Sequence, residues 1–217
     1  MEIVAIVILF IVLLFVRGIL YAGVVSRRKE EMEEELAKIS DFSFTQKVMG
    51  NTGKTGMAID EAHNKICLIT HKGESISLYT IPSKDLLASE IFEDGVMVAR
   101  SSRSGHVGEG DAVLGGLSGA QLPSDKVTTI DFRLTVNRTD LPTHDISFMN
   151  NKCARSEGFY KIAMQDVHDW YGMINALIHK ADEGERAKQA EAVQEIMNSL
   201  DHISTADELI KLAELKS

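Results

Sequence analysis

Cysteine is scarce: Cys67 and Cys153 are too few for a disulfide framework, which points to a reducing compartment. Positive charge is in deficit too. The 23 Lys and Arg stand against 32 Asp and Glu, a formal net charge of −9. Nucleic-acid binding wants a concentrated basic face. Arg27, Arg28 and Lys29 are the densest basic run, so nucleic acid is not expected as a partner. Catalytic signatures are also missing. Gly116-Leu117-Ser118-Gly119 is followed by Ala120 and falls short of the G-x-S-x-G elbow of hydrolases. His63, Cys67 and His71 are spaced by four. On a strand at roughly 3.3 Å per residue, neighbours in that series stand about 13 Å apart, too far to share a zinc ion. No acid–base pairing or nucleophile motif emerges from the remaining histidines and acids, so the chain is expected not to be an enzyme and to use no cofactor or metal.

One stretch invites a different reading. Residues 50–56, GNTGKTG, look like a loop that cradles nucleotide phosphates, and a nucleotide-binding switch is the alternative function they suggest. Such a loop needs G-x-x-x-x-G-K-[ST] and must run into a helix N-terminus. Counted back from Gly53-Lys54-Thr55, the first glycine should stand at position 48, which is Val48. Residues 57–70 read as strand, turn and strand, so a hairpin turn is favoured over a phosphate loop.

The first 25 residues set the class. Ile3 to Phe15 is an apolar run, and with Ile19 to Val25 it gives a stretch from 3 to 25. At about 1.5 Å per residue this crosses a hydrocarbon core of about 30 Å. Glu2 and the lack of a small-x-small cleavage site argue for an anchor over a signal peptide. Arg17 is read as snorkelling to the head groups. Arg17, Arg27, Arg28 and Lys29 all follow the apolar run and no Lys or Arg precedes it. The positive-inside rule then predicts a single-pass protein of the bacterial inner membrane with its C-terminal domain in the cytoplasm.

Beyond the anchor, residues 26–41 read as a charged juxtamembrane helix, a solvated spacer with Glu and Lys near i,i+4 spacing. Residues 42–181 carry strand periodicity and then a helix. In VTTIDFRLTVN, Ile130, Phe132, Leu134 and Val136 alternate with Thr129, Asp131, Arg133 and Thr135. Shorter runs (FSFTQKVM, GMAID, KICLIT, SISLYTI, LLASEIFE, GVMVARS and HDISFM) bring the count to about seven or eight strands, enough for a small barrel or sandwich. A glycine-rich stretch, 103–125, interrupts them and reads as a loop that folding does not need. Alternatively Ala112, Val113, Leu114 and Leu117 dip into the membrane. A helix then carries Val167, Trp170, Tyr171, Ile174, Leu177 and Ile178 at i, i+3, i+4, i+7, i+10 and i+11, a full apolar stripe, with Trp170 as a core plug. The acidic tail, 182–217, has a narrower stripe at Val193, Ile196, Met197 and Leu200, and a capping box at Thr205–Glu208 is expected to open a last helix.

Strands closed by one amphipathic helix, with GMAIDEAHNKICLI, YTIPSKDLLASEIFEDG, VLGGLSGA and KVTTIDFRLTVN…HDISFM in that order, resemble a bacterial pleckstrin-homology (PH)-like family also met in phage and plasmid genomes. Residues 203–217, ISTADELIKLAELKS, are similar to the first half of the short helical SHOCT element that often ends such chains. The resemblance implies a mainly β fold: an antiparallel PH-like barrel or sandwich behind a transmembrane helix, capped by one helix and followed by a helical tail. It implies a scaffold or adaptor without catalysis. Trp170, Tyr171, Ile174 and Ile178 are the residues expected to hold the closing helix in place. Lys47 and Lys54 flank the first hairpin turn, where PH-like barrels that bind phosphates place basic residues. The expected role is a membrane-tethered interaction module that binds a protein partner or a lipid head group near the inner leaflet. Self-association through the tail is a further possibility.

Overall fold

The computed structural model describes residues 2–103 and 124–214, excepting the side chains of Glu2, Ala5 and 200–214. The chain forms two compact units, 1–178 and 179–217. Helix α1, Glu2–Ala37, is continuous. Its first part is apolar on every side but for Arg17, while its second is laced by pairs such as Arg27–Glu31, 2.7 Å apart at i,i+4 spacing. The backbone N–H groups of Lys38 and Ile39 close the last turn on the carbonyls of Glu35 and Leu36.

Among the described residues eight strands come next: β1 (Gln46–Met49), β2 (Thr55–Asp60), β3 (Lys65–Lys72), β4 (Ser75–Pro82), β5 (Leu86–Glu93), β6 (Val96–Ser102), β7 (Lys126–Val136) and β8 (Thr143–Ala154). They make two antiparallel four-stranded sheets, ordered β1-β2-β3-β4 and β6-β5-β7-β8. The sheets meet where the Asn51 N–H donates to the Ser147 carbonyl at 2.6 Å and His144 Nε2 donates to the Gly56 carbonyl at 2.9 Å. Helix α2, Gly158–Glu214, begins in the first unit and its remainder forms the second. Thr205 lies inside α2, so the anticipated capping box opens no separate helix and the tail is not a series of short ones.

Among the described residues two clusters make up the core. The larger lies between the sheets: Met57, Ile59, Ile66 and Leu68 from one, and Ile91, Ile130, Phe132, Leu134 and Ile146 from the other. Ala163, Val167, Trp170, Ile174, Leu177 and Ile178 of α2 join it. Trp170 is 7 % exposed, Ile174 and Ile178 are fully buried, and Tyr171 is half-buried at the cluster's edge. The smaller cluster sits on the outer face of the first sheet, where Ala58, Cys67 and Ile69 meet Met32, Leu36 and Phe42. Segment 26–37 is therefore not the solvated spacer expected of it. Met32 and Leu36 are spaced by four and fall on one helix face, which docks on the sheet. This second packing face explains why KICLIT is apolar without alternation: a strand buried on both sides needs no polar face.

Candidate functional site

The site is assembled where α1 leaves its apolar run. Gly53, in the β1–β2 turn, has φ +62, and a Cβ there would lie 3.0 Å from the Val25 carbonyl oxygen and 3.2 Å from the Arg28 Cβ. Glycine is required twice over, for the left-handed backbone and for the close approach of turn to helix. The turn closes through the Gly53 N–H on the Gly50 carbonyl, and Gly53-Lys54-Thr55 leads into β2. No helix N-terminus succeeds these residues, so GNTGKTG lacks the dipole and the fan of free N–H groups of a phosphate loop.

Ion pairs continue the docking one turn further along. His71 Nε2 is 3.0 Å from Glu31 Oε2, with the imidazole 4 % exposed, and Glu33 Oε2 is 2.6 Å from Lys47 Nζ. Hydrogen bonds from His71 and then Arg27 hold the Glu31 carboxyl below its ordinary range, against the opposing effect of burial. The buried Nδ1 of His71 has no hydrogen-bond partner among the described residues.

Beside this junction lies a pocket of about 400 Å³. Lys29 of α1 lines it, with Gln46, Val48 and Met49 of β1 and Gly50 and Asn51 of the turn. Ser147 and Phe148 of β8, and Asp166, Asp169, Trp170 and Met173 of α2, complete it. One cation and two exposed carboxylates thus line the same pocket as the buried indole. Gln165 Nε2 donates to Asp169 Oδ1 at 2.8 Å and steadies that carboxylate.

The two lysines singled out from sequence are not brought together as an anion clamp. Lys47 is neutralised by Glu33 and lies 5.4 Å from the Phe44 ring centroid. Lys54 is exposed and makes no ion pair among the described residues, while its carbonyl accepts the His71 N–H at 2.7 Å. Neither lines the pocket. His63, Cys67 and His71 each find a partner or setting of their own: His63 Nδ1 with Asp60 at 2.8 Å, Cys67 in the smaller cluster and His71 on Glu31. Burial pushes the Cys67 thiol up to about 11, so it is neither a reactive thiolate nor a ready ligand. Sequence reading missed Lys29, Asp166 and Asp169, because nothing local in the sequence shows that the first hairpin lies beside β8 and α2.

A family described as the glycine zipper containing PH domain matches residues 43–150. Among curated proteins, the chain is 28 % identical over 164 residues to the immunity protein of Bacillus phage SPbeta, covering 68 % of this chain and 82 % of that one. It is equally similar to the SPbeta prophage-derived membrane protein YomJ of Bacillus subtilis: 28 % identity over 164 residues, 68 % of this chain and 72 % of that one. No solved structure matches the chain. The family's description draws attention to Gly108, Ala112, Gly116 and Ala120, small residues at every fourth position of the stretch first read as a loop. That stretch, including Ala112, Val113, Leu114 and Leu117, lies outside the described residues. The matched residues run from β1 through most of β8, and α1, which precedes them, is long and apolar enough to cross a membrane. Residues 43–150 belong to the family of glycine zipper containing PH domains, in a chain similar to phage and prophage membrane proteins.

Proposed function

We propose that the protein is a membrane-tethered, non-catalytic interaction module. It crosses the inner membrane once through residues 3–25 and holds its barrel at the cytoplasmic surface. There it binds a protein partner or a lipid head group. The observation that carries this reading is the uninterrupted passage of α1 from side chains that no described residue covers to side chains locked against the barrel. From Ile3 to Val24 the large apolar residues are 45–78 % exposed, whereas Met32 and Leu36 are fully buried. A helix apolar all round needs lipid as its solvent. A domain bolted to the end of that helix is presented at fixed depth instead of trailing on a linker.

The named relatives support the same reading. One is called an immunity protein and the other a membrane protein, and an immunity role exercised at the membrane by binding suits both names. The tail, with Val193, Ile196 and Met197 more than half exposed, supports self-association as an added contact. A photo-crosslinking residue at Thr52, on the turn beside α1, tests the proposal in cells that carry the full chain. The expected result is a discrete protein or lipid adduct in the membrane fraction. Recovery of the chain in the soluble fraction, or membranes without an adduct, would contradict it.

A further inference from the structure

The pocket between the first hairpin, β8 and α2 has a charge pattern and a position that together select a ligand. Its volume of about 400 Å³ falls within the roughly 300–1,000 Å³ of ordinary small-ligand sites. Lys29 supplies one positive charge, Asp166 and Asp169 supply two negative ones, and Trp170 and Phe148 provide apolar walls. An isolated anion is poorly served here, because the carboxylates repel it. A group that carries both a phosphate and an ammonium is served at each end. Lys29 and the Asn51 side-chain amide take the phosphate, the carboxylates take the ammonium, and the indole is a favourable neighbour for a cation.

Position decides the source. Lys29 stands one helical turn past Val25, the end of the apolar run, and Asn51 shares its turn with Gly53, which abuts Val25 and Arg28. With 3–25 spanning the hydrocarbon, this end of the pocket sits at head-group depth. We infer that the pocket is a binding site for a zwitterionic amino-phospholipid head group, of the phosphatidylethanolamine type, in preference to an anionic phospholipid. The inference rests on the membrane-tethered reading above and gives its ligand a chemical class.

Trp170 is the only tryptophan in the chain, so its emission reports on the pocket directly. The full chain in phospholipid-free maltoside micelles is titrated with short-chain phosphatidylethanolamine, short-chain phosphatidylglycerol, inorganic phosphate and a lysine-rich peptide. A saturable change with phosphatidylethanolamine is expected, and affinity at least about tenfold weaker for the other three, as loss of a charge-assisted pair predicts. The doubly substituted Asp166→Asn, Asp169→Asn chain should lose that preference while keeping its circular dichroism, since both positions are exposed. Equal or tighter response to phosphatidylglycerol or phosphate, a response to the peptide alone, no saturable change, or an unaltered double variant would each overturn the inference. Membrane fractionation and Thr52 crosslinking stay positive if this inference alone fails.

Discussion

The two halves of α1 share one backbone and differ in everything their side chains meet. Residues 3–24 present large apolar groups that none of the described residues covers, while Met32 and Leu36, one and two turns past Arg28, are fully buried against the first sheet. The first half is built for a medium without water, and the second trades that medium for a protein surface. Between them Arg27, Arg28 and Lys29 mark the change, and Gly53 brings the barrel up to it. The difference teaches that tethering and docking are separate contributions: removing one should leave the other measurable.

The largest effect should come from the larger core. Trp170→Ala should cost about 3–5 kcal/mol, and denaturation of the detergent-solubilised chain should show its midpoint fall sharply. An unchanged midpoint would mean that α2 does not close the barrel. Next comes the comparison inside α1. Leu36→Ala should cost about 2–5 kcal/mol, whereas Leu13→Ala, with Leu13 58 % exposed, should leave the barrel's transition in place. Equal effects would erase the distinction between the halves. Gly53→Ala should rank below these at about 1–3 kcal/mol, because it forces a Cβ into the left-handed region against the Val25 carbonyl.

A pH dependence is expected at the seam between the sheets. Burial holds the His144 imidazole below its ordinary 6.5, opposed by its hydrogen bond to the Gly56 carbonyl and the charge of Asp145. The folded state therefore keeps this imidazole neutral where the unfolded chain already binds a proton. Stability from this group is present above 6.5 and is lost as pH falls below it, until the folded imidazole protonates. Denaturation midpoints at pH 7.5 and 5.5 should differ less in His144→Gln than in the natural chain. Smallest of all, Lys54→Ala should shift stability by less than about 0.5 kcal/mol, as exposed changes do.

Much of this was legible in the sequence, for definable reasons. Alternation at Ile130, Phe132, Leu134 and Val136 names a half-buried strand because side-chain direction has period two, and those four residues are buried in β7. The apolar run of α1 names itself by length. Contacts that depend on which strand lies beside which escaped. The docking role of Met32 and Leu36 is not visible locally, since their partners Ala58 and Cys67 sit in strands that a local pattern cannot place beneath a charged helix. KICLIT did carry the signal, as an apolar run without alternation, but a strand buried on both faces and a short helix segment look alike. The pocket was out of reach, because Lys29, Asn51, Ser147 and Asp166 meet only once both sheets are closed.

The central claim is that α1 carries the barrel at fixed depth with the first hairpin turn toward the membrane. Lys54 lies at one end of the β1–β2–β3 array and Glu61 at the other, separated by β2. Six residues of strand at roughly 3.3 Å each put about 20 Å between the two ends. Fluorescent labels on Lys54→Cys and Glu61→Cys, with the natural cysteines buried, can be read against head-group-quencher lipids in vesicles that contain the full chain. Strong quenching at position 54 and weak quenching at 61 is the predicted result, and equal quenching at both would show that the barrel hangs free of the membrane surface.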